Sequence, residues 1–223
     1  MSDVSSLGEA IQIGDAKAAV AAARRALESG ADPMSLVSEG ISPAMSEMGR
    51  QFGDGDCFVP ELLMAARATK EVFVILRPLL SQKGTQPVAR VVLGTVRGDL
   101  HDIGKNLVAA LLEGGGFEVT DLGVDVPPER FVAAVEDRKP EIVGLSALLT
   151  TTLPAMKATL EALRTAGVRG RVKVMIGGAP VTASYAEAIG ADGYAENAGT
   201  AVGLARRLIG ADAASRAKGE QAT

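Results

Sequence analysis

Two periodicities divide the chain. From about residue 5 to 82 apolar residues recur three and four positions apart with no alternating run between them, the pattern of helices that each bury one face. Asp15 stands where a helix cap belongs, ahead of A16-K17-A18-A19-V20-A21-A22-A23-R24-R25-A26-L27-E28, and Gly30 closes that segment. A further segment starts at Asp32-Pro33, breaks around Gly40, restarts at Ser42-Pro43 with proline at the first helical position, and runs to Gly53. The last occupies roughly 60 to 82, with Pro60 at its start and Pro78 bending its final turn. With the stretch from about residue 5 that precedes Asp15, four such pieces predict a small helical bundle.

The stretch S81-Q82-K83-G84-T85-Q86-P87 is polar, carries Gly and Pro, and reads as a connector. After it the grammar changes to buried-type strands alternating with helices. Strands are predicted at 88–95, 117–121, 142–146, 172–176 and 192–195, and helices at 103–112, 128–138, 154–165, 181–189 and 198–209. Strict alternation with short connections implies a parallel sheet covered by helices on both faces, and five pairs suit a flavodoxin-like strand order of 2-1-3-4-5. The expectation is therefore an N-terminal helical bundle (1–82), a linker (83–88), an α/β flavodoxin-like domain with a five-stranded parallel sheet (89–212), and a small, polar tail (213–223).

Composition agrees with a helix-rich globule: 47% of the 223 residues are hydrophobic, 22% charged, 3% aromatic, and Trp is absent. The formal net charge of -4, with Lys and Arg interspersed among Asp and Glu, argues against nucleic acid as a partner. The N-terminus lacks a basic stretch followed by an apolar one, and no apolar run approaches eighteen residues, so neither secretion nor membrane spanning is expected and the cytoplasm is the default. Cys57 is single and forms no internal disulfide.

In open parallel sheets ligands bind beyond the carboxyl ends of the strands. Three unusual segments fall on that edge: G98-D99-L100-H101-D102-I103-G104 after the first strand, S146-A147-L148-L149-T150-T151-T152 after the third, and G177-G178-A179-P180 after the fourth. His101 is the only histidine, and Cys57 belongs to the other domain, so the three or four converging ligands of a zinc or iron site are missing. The G-x-S-x-G of a serine hydrolase is absent too. One imidazole suits a metal that arrives held in a macrocycle and takes a single axial ligand, with Asp99 accepting the ring's other N–H.

The order D-x-H-x-x-G (Asp99, His101, Gly104), S-x-L (Ser146, Leu148) and G-G (Gly177, Gly178) resembles the cobalamin-binding domain of cobalamin-dependent methionine synthase and of corrinoid proteins serving methylamine, methanol and O-demethylase methyltransferases. M48-G49-R50-Q51-F52-G53-D54-G55-D56-C57-F58-V59-P60-E61 resembles the helical cap of that family. The resemblance implies a cobalamin or related corrinoid, passing between methylcobalamin and cob(I)alamin. It makes His101 the axial ligand to cobalt in place of dimethylbenzimidazole. It places Asp102, Ile103, Gly104, Ser146, Leu148, Thr150, Gly177, Gly178, Ala195, Glu196 and Asn197 along the cofactor and its nucleotide tail, and Phe52, Val59 and Leu62 over the upper face. Methionine synthase has a serine completing a His-Asp-Ser relay with a proline beside it; here the corresponding residues are Thr152 and Thr151.

Each of these residues also has a plain structural use. Asp99, Ser146 and Thr152 are good helix caps, Gly177-Gly178 makes a tight turn, and Phe52, Val59 and Leu62 fit a bundle core. By the resemblance the chain is a methyl carrier, not a complete enzyme, working between a substrate-specific methyltransferase and an acceptor methyltransferase that uses tetrahydrofolate or coenzyme M, with a reductive activase. The alternative is a cobalamin-dependent sensor, which pairs the same domains with a DNA-binding module; the stretch before residue 5 is too short for one. An adenosylcobalamin mutase domain usually lacks the cap.

Overall fold

The computed structural model describes residues 3–82 and 86–210, so the linker positions 83–85 and the predicted tail at 213–223 lie outside the described residues. The chain divides into two compact units, one drawn from Met1–Pro87 and Ala110–Phe117, the other from Val88–Ala109 and Glu118–Thr223.

The first unit is helical: α1 (Asp3–Gln12), α2 (Ala16–Glu28), α3 (Pro33–Ser35), a π-helical stretch (Leu36–Ile41), α4 (Ser42–Asp54) and α5 (Val59–Gln82). Asp15 caps α2 as expected, its carboxylate accepting from the Ala18 amide at 2.9 Å. The predicted break at Gly40 is absent. The chain winds through the π-helical stretch into α4, and a Cβ on Gly40 would lie 3.1 Å from Leu7 Cδ2 and 3.4 Å from Val4 Cγ1. Glycine there admits the close passage of α1 and does not end a helix. The helix expected to stop at Gly53 continues to Asp54, where Gly55 at φ 81° takes the left-handed cap position. α5 passes Pro78 and ends at Gln82.

The core of this unit alternates large side chains (Leu7, Ile11, Leu36, Ile41, Met45, Leu62, Leu76) with the alanines of α2. Each buried Leu or Ile stabilises by about 1.5–3 kcal/mol relative to exposure, and alanines let helices approach closely. Gly114 belongs here as well. A Cβ at that position would stand 2.5 Å from Met45 Cγ, and the Ser42 hydroxyl donates to the Gly114 carbonyl at 3.3 Å.

The second unit contains β1 (Arg90–Thr95), β2 (Glu118–Asp121), α7 (Pro128–Arg138), β3 (Ile142–Ser146), α8 (Leu153–Thr165), β4 (Lys173–Gly177), α9 (Ala183–Ile189), β5 (Gly193–Ala195) and α10 (Ala198–Leu208); α6 (Ile103–Gly114) starts in it and ends in the first unit. All pairs are parallel, and the order is β2-β1-β3-β4-β5, as the alternation predicted. β1 and β3 read as continuous apolar runs because helices cover both faces of the sheet. One core cluster joins Val92, Val143 and Val174 to Phe131, Leu160 and Leu163. Gly94 makes room for Phe131, whose ring would meet a Cβ there at 2.8 Å.

Register sets the site. Thr95 pairs with Ser146, Ser146 with Gly177 and Gly177 with Ala195, so the carboxyl ends of four strands form one row. Among the described residues no helix is long and apolar enough to cross a membrane.

Candidate functional site

The loop after β1 turns at Gly98, in the left-handed region at φ 82°, and drops Asp99 into the sheet edge, where its side chain is fully buried. The carboxylate is surrounded by donors. Oδ1 accepts from His101 Nδ1 at 2.7 Å and from the His101 amide at 3.1 Å. Oδ2 accepts from the Leu148 amide at 2.7 Å, the Leu149 amide at 3.3 Å and the Thr152 hydroxyl at 2.8 Å. Thr152 Oγ1 also lies 2.8 Å from the Leu149 carbonyl, but a hydroxyl has one proton and a charged carboxylate is the stronger acceptor.

Burial pushes the Asp99 carboxyl up, but the Leu148 amide, the His101 ring, the Thr152 hydroxyl and the His101 amide outweigh it and hold the group well below the usual carboxylate range. An ionised carboxylate only accepts, so the imidazole proton sits on Nδ1 and the Nε2 lone pair is left free. The His101 side chain is 51% exposed. Asp99 thus orients a ring whose free nitrogen remains available.

The structure brings Asp99, His101, Leu148 and Thr152 together by direct bonds, and Ser146, Gly177 and Ala195 by strand register. Thr150 and Thr151 are exposed beside them. Asp102, half-buried, accepts from Asn106 Nδ2 at 3.0 Å, and Gly104 has open space where a Cβ would be. The two glycines after β4 have a use within the sheet: a Cβ on Gly178 would sit 1.8 Å from the Ala147 carbonyl oxygen, and one on Gly177 3.0 Å from that of Ala195. Ala195 is buried, Glu196 exposed, and Asn197 caps α10 by accepting from the Thr200 amide at 3.0 Å.

In the helical unit Phe52 and Val59 are half-buried, whereas Leu62 is fully buried. Two residues of the site escaped sequence reading. The Thr95 hydroxyl donates to the His101 carbonyl at 2.8 Å, and Asp125 accepts from the Gly98 amide at 2.7 Å. Thr95 is hidden in an apolar strand run, and Asp125 lies 27 residues from its partner.

The donor set fits a corrinoid better than a bare ion. Among the described residues no group of three or more His, Cys, Asp or Glu could hold a metal. The loops that meet at Asp99 expose four large aliphatic side chains, Leu100 (71%), Ile103 (67%), Leu148 (43%) and Leu149 (42%), an apolar surface for a flat macrocycle beside one orientable imidazole.

Residues 89–203 match the B12 binding domain family, and residues 5–77 match a second family also described as a B12 binding domain. The trimethylamine corrinoid protein of Methanosarcina barkeri is 42% identical over 203 residues, covering 90% of this chain and 94% of that protein. The chain belongs to the B12-binding corrinoid protein family. Among solved structures, a cobalamin-binding protein from Desulfitobacterium hafniense is similar with a TM-score of 0.76 and 34% identity, over 92% of this chain and 98% of that one. The methanol:cobalamin methyltransferase complex of Methanosarcina barkeri contains a chain similar at a TM-score of 0.82 and 32% identity, over 93% of this chain and 80% of that one. Both parts of this corrinoid protein, bundle and sheet, thus have family counterparts.

Proposed function

We propose that this corrinoid protein carries a methyl group from a substrate-specific methyltransferase to a second, acceptor methyltransferase, with a reductive activase restoring the carrier, in the cytoplasm. The observation that carries the reading is the half-exposed His101 ring, its inner nitrogen tied to a buried, ionised Asp99 and its outer nitrogen free. The likeness to a methylamine corrinoid protein and to a chain of a methanol:cobalamin methyltransferase complex supports it.

When bound, the corrinoid supplies a cobalt that takes up and gives up a methyl group. The rest falls to the protein. His101 Nε2 would hold the metal, and the hydrogen bond to Asp99 keeps that lone pair basic and aimed. Asp99, anchored through Oδ2 by the Thr152 hydroxyl and the Leu148 amide, would hold the ring in place whether or not Nε2 is engaged. Gly104 leaves room at the start of α6 for the nucleotide tail. Phe52, Val59 and Leu62 are the residues of the helical unit proposed to contact the cofactor.

The test is label retention. The cobalamin-loaded, reduced protein is mixed with a methylamine or methanol methyltransferase and donor carrying a labelled methyl, then freed of small molecules in the dark. Close to one methyl per chain is expected with one donor class. Background label with every donor class, in protein that binds cobalamin fully, would favour the sensor alternative.

A further inference from the structure

The loop carrying His101 is held from outside as well as by its own bonds, among them the Asp99 amide to the Val96 carbonyl at 3.1 Å. It is gripped by the loop that follows β2. Past the last paired strand residues, the Thr95 amide donates to the Gly123 carbonyl at 3.0 Å, the Val126 amide to the Thr95 carbonyl at 2.9 Å, and Val96 and Val126 form an isolated parallel bridge. Asp125 lies between these contacts and makes none of them. It turns out of the ladder at φ 51°, in the left-handed region. Its amide donates to the Asp99 carbonyl at 2.9 Å, and its Oδ1 accepts from the Gly98 amide at 2.7 Å. One residue thus holds both ends of the Gly98-Asp99 dipeptide, which itself turns at φ 82° on Gly98.

The choice of residue is informative. A left-handed position favours glycine, and Asp or Asn are among the few side chains that tolerate it. Glycine would remove the strain but also the carboxylate that meets the Gly98 amide. Among the described residues the other non-glycine positive φ is at Lys139, an ordinary helix C-cap. At Asp125 the strained backbone is retained together with a side-chain bond into the ligand loop, and strain of that kind collects where geometry matters.

We propose that Asp125 is a positioning residue for the axial ligand: by holding the Gly98 amide and the Asp99 carbonyl it fixes how Asp99 presents Oδ1 to His101, and so sets the fraction of bound corrinoid that has His101 as its lower ligand. The inference rests on the axial-ligand reading above. Asp125 acts through Asp99 and is assigned no contact with the cofactor.

The single histidine makes the test clean, because labelling all histidine with ¹⁵N labels only His101. Full-length protein, wild type and variants, is reconstituted with hydroxocobalamin, reduced to cobalt(II), and read by electron paramagnetic resonance. Ligation by His101 changes the nitrogen splitting from a triplet to a doublet on labelling; ligation by the cofactor's own base does not. Asp125→Asn keeps an acceptor and tolerates the left-handed backbone, and its His-on fraction should stay within about twofold of wild type. Asp125→Gly should lose several-fold of that fraction while the apo-protein melts no lower than wild type, and Asp125→Ala replaces it if the glycine variant does not fold. A wild-type His-on fraction in the glycine or alanine variant, or an equal loss in Asp125→Asn, would overturn the role of Asp125. A wild-type protein whose splitting ignores the label would instead overturn the axial-ligand reading, and the inference with it.

Discussion

His101 Nδ1 donates to Asp99 Oδ1 across 2.7 Å, and the acceptor is fully buried while the donor ring is half exposed. That asymmetry decides which nitrogen is free. The buried carboxylate is immobilised by the Leu148 amide and the Thr152 hydroxyl, so the ring is oriented from behind and available in front.

Asp99→Asn tests this orientation. The amide oxygen still accepts from Leu148 or Thr152, but the amide nitrogen then faces His101 Nδ1 as a donor and drives the ring proton to Nε2, where the lone pair is needed. The His-on fraction of bound cobalamin should fall about 10–100-fold, with a smaller loss of cobalamin affinity. Spectral titration measures both; equal losses, or no change in the His-on fraction, would count against the orienting role.

Thr152→Val is nearly isosteric and removes one donor to Asp99. A hydrogen bond to a charged group contributes about 1.5–3 kcal/mol, and that should be the loss in apo-protein stability at neutral pH. The sign with pH follows from the direction of the Asp99 shift. Its folded pKa is depressed, so its contribution is present above the unfolded carboxylate value of about 3.9 and is lost as pH falls from there toward the folded value. Denaturant unfolding at pH 7, 5 and 3 should show both wild type and variant losing stability at pH 3, with a gap between them that stays constant or narrows. A gap that widens in acid would contradict the assignment.

Two glycines should separate fold from function. Gly178 sits at φ 132° with no space for a Cβ, so Gly178→Ala adds backbone strain of about 1–3 kcal/mol to a collision with Ala147. The apo-protein should melt about 10 °C lower or fail to fold. Gly104 meets nothing within 4 Å, so Gly104→Ala and Gly104→Leu should leave the melting temperature unchanged or slightly raised. Cobalamin affinity should nonetheless fall in the order Gly, Ala, Leu if the space serves the nucleotide tail. Equal affinity across that series would remove Gly104 from the cofactor path.

Much of this was legible in the residues. Strand order followed from five apolar runs punctuated by Gly and Pro, and the His101 loop stood out because a lone histidine at a strand's carboxyl end needs a reason. The failures have a common physical source. Gly40 looks the same in sequence whether it ends a helix or admits a neighbour, and only the position of Leu7 distinguishes the two. Thr95 and Asp125 act through the His101 carbonyl and the Gly98 amide, and bonds to main-chain atoms leave no motif.

The central claim is that His101 supplies the lower ligand to a protein-bound corrinoid, and it is tested most directly by comparing wild type with His101→Ala after reconstitution with cobalamin. Wild type should give a spectrum with the dimethylbenzimidazole displaced and histidine bound, and His101→Ala should bind cobalamin but lose the histidine-bound features. Identical spectra from the two proteins would contradict the claim.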